Sequence, residues 1–170
     1  TDIDGVLRGK LMRKDKFLSA VESGFGFCDV VFGWDSSDVA YDNVTYTGWQ
    51  TGYPDAQARI DLSTFRQVPW DDDVPFFLAD FVDAKEKPLG VCPRSLLKNV
   101  KAKSLKMGFR PFFSQEFEWF NFAENADDLH ERGFTQPQPL TPGMFGYSLL
   151  RSSQEKEYFN DIFEYMDQFD

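Results

Sequence analysis

Apolar and polar residues alternate through positions 112–120, FFSQEFEWF, and this alternation predicts a β-strand. Side chains of a strand point to opposite faces in turn, so Glu116 and Glu118 would share one face, about 6.5 to 7 Å apart. The same pattern also fits an amphipathic edge strand whose acids face water. Five aromatic residues among the nine favour packing on both faces, and therefore a cleft around the two acids.

The paired acids predict a divalent cation. Two carboxylates buried side by side are costly, because each resists ionising next to the other, and a cation removes that cost. Carboxylate oxygens are hard ligands that suit Mg2+ or Mn2+. Glu116 and Glu118 are offset by one strand repeat, so each is expected to serve a different ion of a pair.

Apolar spacing predicts the other elements. Helices are expected over 15–23, from Pro93 to Gly108, and from a capping box of Ser152 and Glu155 through Phe169. Strands are expected over 1–10, 29–32, 75–82 and 146–150, with 75–82 buried on both faces. Between them, 33–57 is a long loop rich in Tyr and Trp, which indicates an interface rather than disorder.

Two helices carry further expectations. Lys98, Lys101, Lys103 and Lys106 are expected to form the solvated face of the helix that begins at Pro93. The last helix is apolar around too much of its circumference for an isolated helix, so we expect it to pack against residues outside this chain. The sequence also starts inside a predicted strand. Together, these two features favour the interpretation that the chain is a portion of a longer protein.

Composition excludes several classes. The 170 residues carry a formal net charge of −10, with 42% hydrophobic and 17% aromatic residues. An acidic chain is a poor partner for nucleic acid or an anionic membrane, and no apolar run is long enough for a membrane span. Cys28 and Cys92 are isolated, which predicts neither a zinc site nor a disulfide and favours the cytoplasm. His130 lies in a polar stretch and is expected to be solvated.

A weaker motif opens the chain. Asp2-Ile3-Asp4-Gly5-Val6-Leu7 resembles the nucleophile motif of haloacid-dehalogenase-type phosphatases, in which the first Asp attacks phosphorus. That family has an apolar strand before the motif, whereas only Thr1 precedes Asp2 here. Its later acidic pair has a poor counterpart in Asp71-Asp72-Asp73. This phosphatase interpretation is the least favoured alternative.

Four motifs in order resemble the glutamine synthetase family. They are Asp61-Leu62-Ser63-Thr64-Phe65-Arg66-Gln67-Val68-Pro69-Trp70, Leu78-Ala79-Asp80, Pro93-Arg94-Ser95-Leu96-Leu97 and Glu116-Phe117-Glu118-Trp119-Phe120, and the likeness begins at Gly5. The resemblance implies an α+β fold, with a β-grasp-like N-terminal domain over 1–88. Over 89–170 it implies the incomplete beginning of an antiparallel-sheet catalytic domain.

The resemblance also implies an activity and its site residues. The activity is ATP-dependent ligation of ammonia or an amine to glutamate through a γ-glutamyl phosphate, with two Mg2+ or Mn2+ ions, in a ring-forming homo-oligomer. Glu116 would bind the ion that bridges the nucleotide phosphates, and Glu118 the ion near the substrate carboxylate. The loop at Trp34-Asp35-Ser36-Ser37 resembles one that completes the neighbouring subunit's ammonium site, which makes Asp35 a candidate catalytic residue.

A competing interpretation within the same family is a catalytically silent structural or interaction protein. The family's remaining metal ligands and its phosphate-binding arginines have no counterpart in these residues, so the 170-residue chain alone is expected to be inactive. Retention of both Glu116 and Glu118 favours the ligase, because a silent protein has no physical reason to keep paired acids in an aromatic segment.

Overall fold

In the computed structural model, which describes residues 1–143 and 145–169, a three-stranded antiparallel sheet lies at the centre of the first part of the chain. The strands are β1 (Phe25–Cys28), β2 (Asp55–Val68) and β3 (Val74–Val82), in the order β1-β2-β3. Phe25 pairs with Ala58, and Gln57 pairs with Val82. With the helices around it, this sheet confirms the predicted α+β class.

The chain divides into two compact units, Thr1–Pro111 and Phe112–Asp170. The first contains the sheet, helix α1 (Lys14–Ser23), a 3-10 helix (Asp29–Gly33) and helix α2 (Pro93–Lys106). The second contains helices α3 (Ala126–Glu131), α4 (Leu149–Gln154) and α5 (Lys156–Phe169). The domain border predicted after residue 88 stays a prediction.

Aromatic side chains join the first helices to the sheet. On β3, Phe77 and Phe81 are four residues apart, and alternation places them on one face. Phe77 contacts Phe17 of α1, with ring centroids 4.9 Å apart, and Phe81 contacts Phe32 of the 3-10 helix at 4.8 Å. The small core of the first unit therefore lies between this face of the sheet and the two helical segments.

Ion pairs join α2 to the sheet. Arg94 donates to Asp61 of β2 and to Asp80 of β3, each at 2.8 Å, and Lys98 one helical turn later contacts the same two carboxylates. The Ser63 hydroxyl, donating at 2.6 Å, and then the Arg94 guanidinium hold the pKa of Asp61 well below its usual range. The second oxygen of Asp80 is buried without a hydrogen-bond partner among the described residues.

The apolar residues of α2 do not form a buried face. Leu96 and Leu97 are 62% and 63% exposed, whereas Ser95 is buried. Lys98, Lys101, Lys103 and Lys106 are all exposed, as predicted, and Lys98 in addition joins the ion pairs. Charge therefore contributes more than apolar packing to the contact between α2 and the sheet.

Several predicted helices and strands are confirmed. The helix predicted over 15–23 is α1, which ends at Gly24 with φ 75°, and the helix predicted from Pro93 is α2. The strand predicted over 75–82 is β3, although its residues are half-buried or exposed rather than buried on both faces. The long loop forms no helix or strand between the 3-10 helix and β2.

Three of the strands predicted outside residues 112–120 are wrong. Residues 1–10 contain a turn at residues 3 and 4 and no strand, because the Asp2 carboxylate accepts hydrogen bonds from the backbone N–H groups of Asp4 and Val6. Residues 29–32 form most of the 3-10 helix, since a run of three apolar residues, from Val30 to Phe32, does not distinguish strand from helix. Residues 146–150 turn into α4, whose first turn is capped by the Ser148 side chain.

The capping box predicted at Ser152 and Glu155 is also wrong. Ser152 lies inside α4, and Glu155 separates α4 from α5. On α5, Phe163 and Met166 are 76% and 54% exposed, so the described residues leave part of its apolar surface uncovered. Among those residues, no helix combines the length and the apolar character needed to span a bilayer.

The ion pairs of Arg94 predict a pH-dependent stability. Because the pKa of Asp61 is lowered in the folded protein, its contribution is fully present above the ordinary Asp pKa of about 3.9 and is lost as the pH falls further. Arg94→Gln should therefore reduce the free energy of unfolding by about 1.5 to 3 kcal/mol at pH 7. The difference from wild type should shrink below about pH 4, as measured by urea denaturation across pH.

Lys101→Gln is the matched control, since Lys101 lies on the same helix outside the ion pairs, and it should change stability little. A deficit in Arg94→Gln that stays constant down to pH 2 would contradict the assignment of this stability to ionised Asp61.

Candidate functional site

The two acids Glu116 and Glu118 lie on an irregular, exposed segment. The strand predicted over 112–120 does not form among the described residues. The physical reason is the absence of a partner strand: residues 113–118 make no hydrogen bond in the described chain, and ladder-like pairing begins only where Phe122 bridges Pro139. Adjacent side chains of an irregular segment need not alternate between two faces, so the predicted sharing of one face has no support here.

The aromatic residues around the acids are exposed as well. Phe113, Phe117 and Trp119 are 87%, 73% and 55% exposed, so the described residues do not close the predicted cleft. This corrects the expectation that aromatic packing encloses the acids within this chain. The surroundings of Glu116 and Glu118 in the described residues are open.

Both carboxylates are uncompensated. Within the described part of the chain, neither Glu116 nor Glu118 makes a hydrogen bond or an ion pair. Their oxygens are the donor type that Mg2+ and Mn2+ prefer. The donor set fits such an ion in kind but not in number, since no group of three or more His, Cys, Asp or Glu among the described residues could hold a metal. Further ligands would have to come from other residues.

Hydrogen bonding to other parts of the second unit begins directly after Glu118. Trp119 Nε1 donates to the Tyr158 hydroxyl of α5 at 2.9 Å, and that hydroxyl donates to Asn121 Oδ1 at 3.2 Å. The backbone of Asn121 then accepts from the Leu140 N–H at 3.0 Å, and the Ala123 N–H donates to the Gln138 carbonyl at 2.9 Å. Glu118 thus immediately precedes the first residue of this segment that is hydrogen-bonded to α5.

Asp35 lies in the first unit, at the start of a tight loop. Its carboxylate accepts hydrogen bonds from the backbone N–H groups of Ser37 and Val39, both at 2.9 Å, and from the Tyr41 hydroxyl at 3.0 Å. The Val39 N–H, followed by the Tyr41 hydroxyl, lowers the pKa of Asp35 despite partial burial. Asp35 therefore stays ionised, and both of its oxygens help to shape the loop.

Arg8 holds this loop against the beginning of the chain. Its guanidinium donates to Asp2 at 2.8 Å, to Asp38 at 2.7 Å and to the backbone carbonyl of Asp35 at 2.8 Å, and it lies over the Trp34 ring at 4.8 Å. Sequence analysis did not predict this role for Arg8. The available signal was an Arg shortly after an acidic turn, which points to an ion pair without identifying its second partner.

The geometry of Asp2 does not favour the phosphatase interpretation. Its side chain is fully buried and bonded to Arg8. Burial alone would raise the pKa of Asp2, but Arg8 and the Val6 N–H outweigh it, and the pKa is lowered. A carboxylate that is inaccessible and already paired is poorly placed to attack a phosphate. His130 is exposed, although it lies in α3 rather than in a loop, with its ring 5.7 Å from that of Phe134.

Comparison with known proteins gives related sequences. No protein-family model matches the chain. It is 55% identical over 164 residues to type-1 glutamine synthetase 2 of Dictyostelium discoideum, an alignment that covers 96% of this chain and 32% of that protein. It is 31% identical over 166 residues to glutamate–isopropylamine ligase of a Pseudomonas species, covering 97% of this chain and 36% of that protein.

A solved structure shares the fold. The GmaS/ADP complex in its conformation 1 superposes with a TM-score of 0.63 at 19% identity, covering 98% of this chain and 34% of that one. The chain thus spans about a third of the length of the relatives that it matches. The comparisons do not test individual residues, so the roles of Asp35, Glu116 and Glu118 stay predictions.

The Arg8 contacts predict local order in the Asp35 loop. Arg8→Lys keeps the positive charge but lacks the planar, forked guanidinium, whose three nitrogens each bond a different acceptor here. We expect faster backbone hydrogen exchange in residues 34–41, measured by mass spectrometry, because the loop loses its attachment to Asp2. Arg13→Lys, an exposed site without a side-chain partner in the described residues, should leave this exchange unchanged. Equal exchange in Arg8→Lys and wild type would show that Arg8 does not hold the loop.

Proposed function

This chain belongs to the glutamine synthetase family, and from that premise we propose that it is part of an ATP-dependent ligase that joins glutamate to ammonia or to an amine. The carboxylate of glutamate would be activated as a γ-glutamyl phosphate, which the nitrogen then attacks. The names of both curated relatives, one a glutamine synthetase and the other a glutamate–isopropylamine ligase, support this reaction class. We also propose the β-grasp-like arrangement for the first domain and an antiparallel catalytic sheet for the complete second domain.

The uncompensated pair Glu116 and Glu118 carries this proposal. Both side chains make no hydrogen bond and no ion pair in the described residues, so their carboxylate oxygens are available to a cation. We assign Glu116 to a Mg2+ or Mn2+ ion on the nucleotide phosphates and Glu118 to a second ion near the substrate carboxylate. Such ions neutralise the charge on a transferred phosphoryl group and orient the attacking atom. The two glutamates would bind and orient the ions, with other ligands supplied by further residues of the longer protein.

Asp35 is proposed to act in a neighbouring subunit's site, in a ring-forming homo-oligomer. Its lowered pKa supports this role, because an ionised carboxylate attracts ammonium or a protonated amine. The hydrogen bonds from Ser37, Val39 and Tyr41 fix its orientation. The fixed carboxylate of Asp35 would bind ammonium or a protonated amine before the nitrogen loses its proton.

The alternative within the family is a catalytically silent protein. The observation that favours the ligase is again the pair of acids, which contributes no ion pair to the described fold. Phosphate release by the full-length protein, with ATP, glutamate and a panel of ammonium, isopropylamine and putrescine, separates the two. An assembled protein that releases phosphate with none of a broad set of amines would support the silent interpretation.

The metal role of Glu118 predicts the behaviour of one substitution. In the full-length protein, Glu118→Gln should reduce amine-dependent phosphate release by at least about 100-fold, because an amide is a poorer ligand for a hard cation. The change removes no contact of the described fold, so the melting temperature should stay near that of wild type.

Glu131→Gln is the matched control, being an exposed glutamate in the same unit that makes no ion pair in the described residues, and it should retain full turnover. Unchanged turnover in Glu118→Gln would eliminate the proposed metal role.

A further inference from the structure

The hydroxyl of Tyr158 joins two residues that closely follow the acidic pair. It accepts from Trp119 and donates to Asn121, so one side chain of α5 contacts both residues that flank Phe120. We propose that Tyr158 is a positioning residue for Glu118, which fixes the direction in which this carboxylate leaves the backbone. The inference rests on the proposed metal role of Glu118.

The Trp119–Tyr158 hydrogen bond lies directly next to Glu118 along the chain. Residues 113–118 make no hydrogen bond in the described chain, whereas pairing with residues 138–140 begins at Asn121. Trp119 lies between these two regions and is adjacent to Glu118. Its bond to Tyr158 therefore extends the hydrogen-bonded region by two residues, up to the neighbour of the proposed ligand.

Asn121, the acceptor of the Tyr158 hydroxyl, is itself fixed by further hydrogen bonds. Asn121 is bonded through its side chain to Tyr158 and through its backbone carbonyl to the Leu140 N–H. Three residues later, the Glu124 carboxylate accepts from Arg132 and from the Gln138 N–H. Tyr158 thus connects Trp119 to the segment 121–124, which is itself bonded to residues 138–140 and to Arg132.

Loss of the hydroxyl would act on both bonds at once. In Tyr158→Phe the ring remains, so its contact with the Phe159 ring, at a centroid distance of 5.3 Å, is preserved. Trp119 Nε1 and Asn121 Oδ1 each lose their hydrogen bond to the Tyr158 hydroxyl. Glu118 then samples more directions, and a ligand that must be ordered on binding holds its ion less tightly.

The test uses the full-length protein and two measurements. Mn2+ titration followed by electron paramagnetic resonance gives the affinity, and hydrogen exchange of peptides covering 116–121 reports local order without any metal. Tyr158→Phe should weaken Mn2+ binding about 10-fold, as for other residues that orient a metal ligand, and should speed exchange in 116–121. The apparent KM for Mn2+ should rise while kcat at saturating Mn2+ is retained.

Three further variants make the result specific. Trp119→Phe removes the donor from the other side of the bond and should reproduce both effects, which keeps the test valid if Tyr158→Phe folds poorly. Tyr147→Phe is the control, because Tyr147 is fully exposed with no side-chain partner in the described residues, and it should match wild type. Glu118→Gln should weaken Mn2+ binding more than either bridge variant.

The outcomes separate this inference from the function on which it rests. Wild-type Mn2+ affinity in Tyr158→Phe and Trp119→Phe, together with weakened binding in Glu118→Gln, would overturn the positioning role and leave the ligase proposal intact. Wild-type affinity in Glu118→Gln would overturn the metal role itself, and the inference with it.

Discussion

The ion pairs of Arg94 with Asp61 and Asp80 connect the last helix of the first unit to two strands of its sheet. They are needed because α2 buries little apolar surface: Leu96 and Leu97 remain largely exposed. Helix and sheet are therefore joined by charge, and Lys98 reinforces the same two acids. The beginning of the chain follows the same rule, since Arg8 binds Asp2 and Asp38 and so attaches the first residues to the Asp35 loop.

This compensation distinguishes two kinds of carboxylate. Asp2, Asp61 and Asp80 are paired with cations of the same unit, so their charge is used in shaping the fold. Glu116 and Glu118 have no such partner among the described residues, although they follow each other closely in an aromatic segment. In a chain with a net charge of −10, charge that the fold does not use is available for an external cation. The proposed ligase function gives these two acids that cation.

Sequence patterns predicted the elements that are set by local signals. Pro93 at the start of α2 and Gly24 at the end of α1 were sufficient to place these helices, and the apolar run of β3 placed a strand. Predictions failed where the local structure depends on a partner that is distant in sequence. Alternation over 112–120 describes a strand, but a strand needs a neighbour, and none pairs with it among the described residues. The candidate acids were found from residue type and family resemblance, whereas Arg8, Lys98 and Tyr158 were missed because each has a partner 18 to 39 residues away.

The most direct test is the number of Mn2+ ions bound by the full-length protein and by its two single variants at the acidic pair. We expect two ions per wild-type chain, with one lost in Glu116→Gln and the other in Glu118→Gln, distinguishable because ATP should strengthen binding only of the ion assigned to Glu116. Two ions bound with wild-type affinity in both variants would show that these carboxylates have no part in holding a metal.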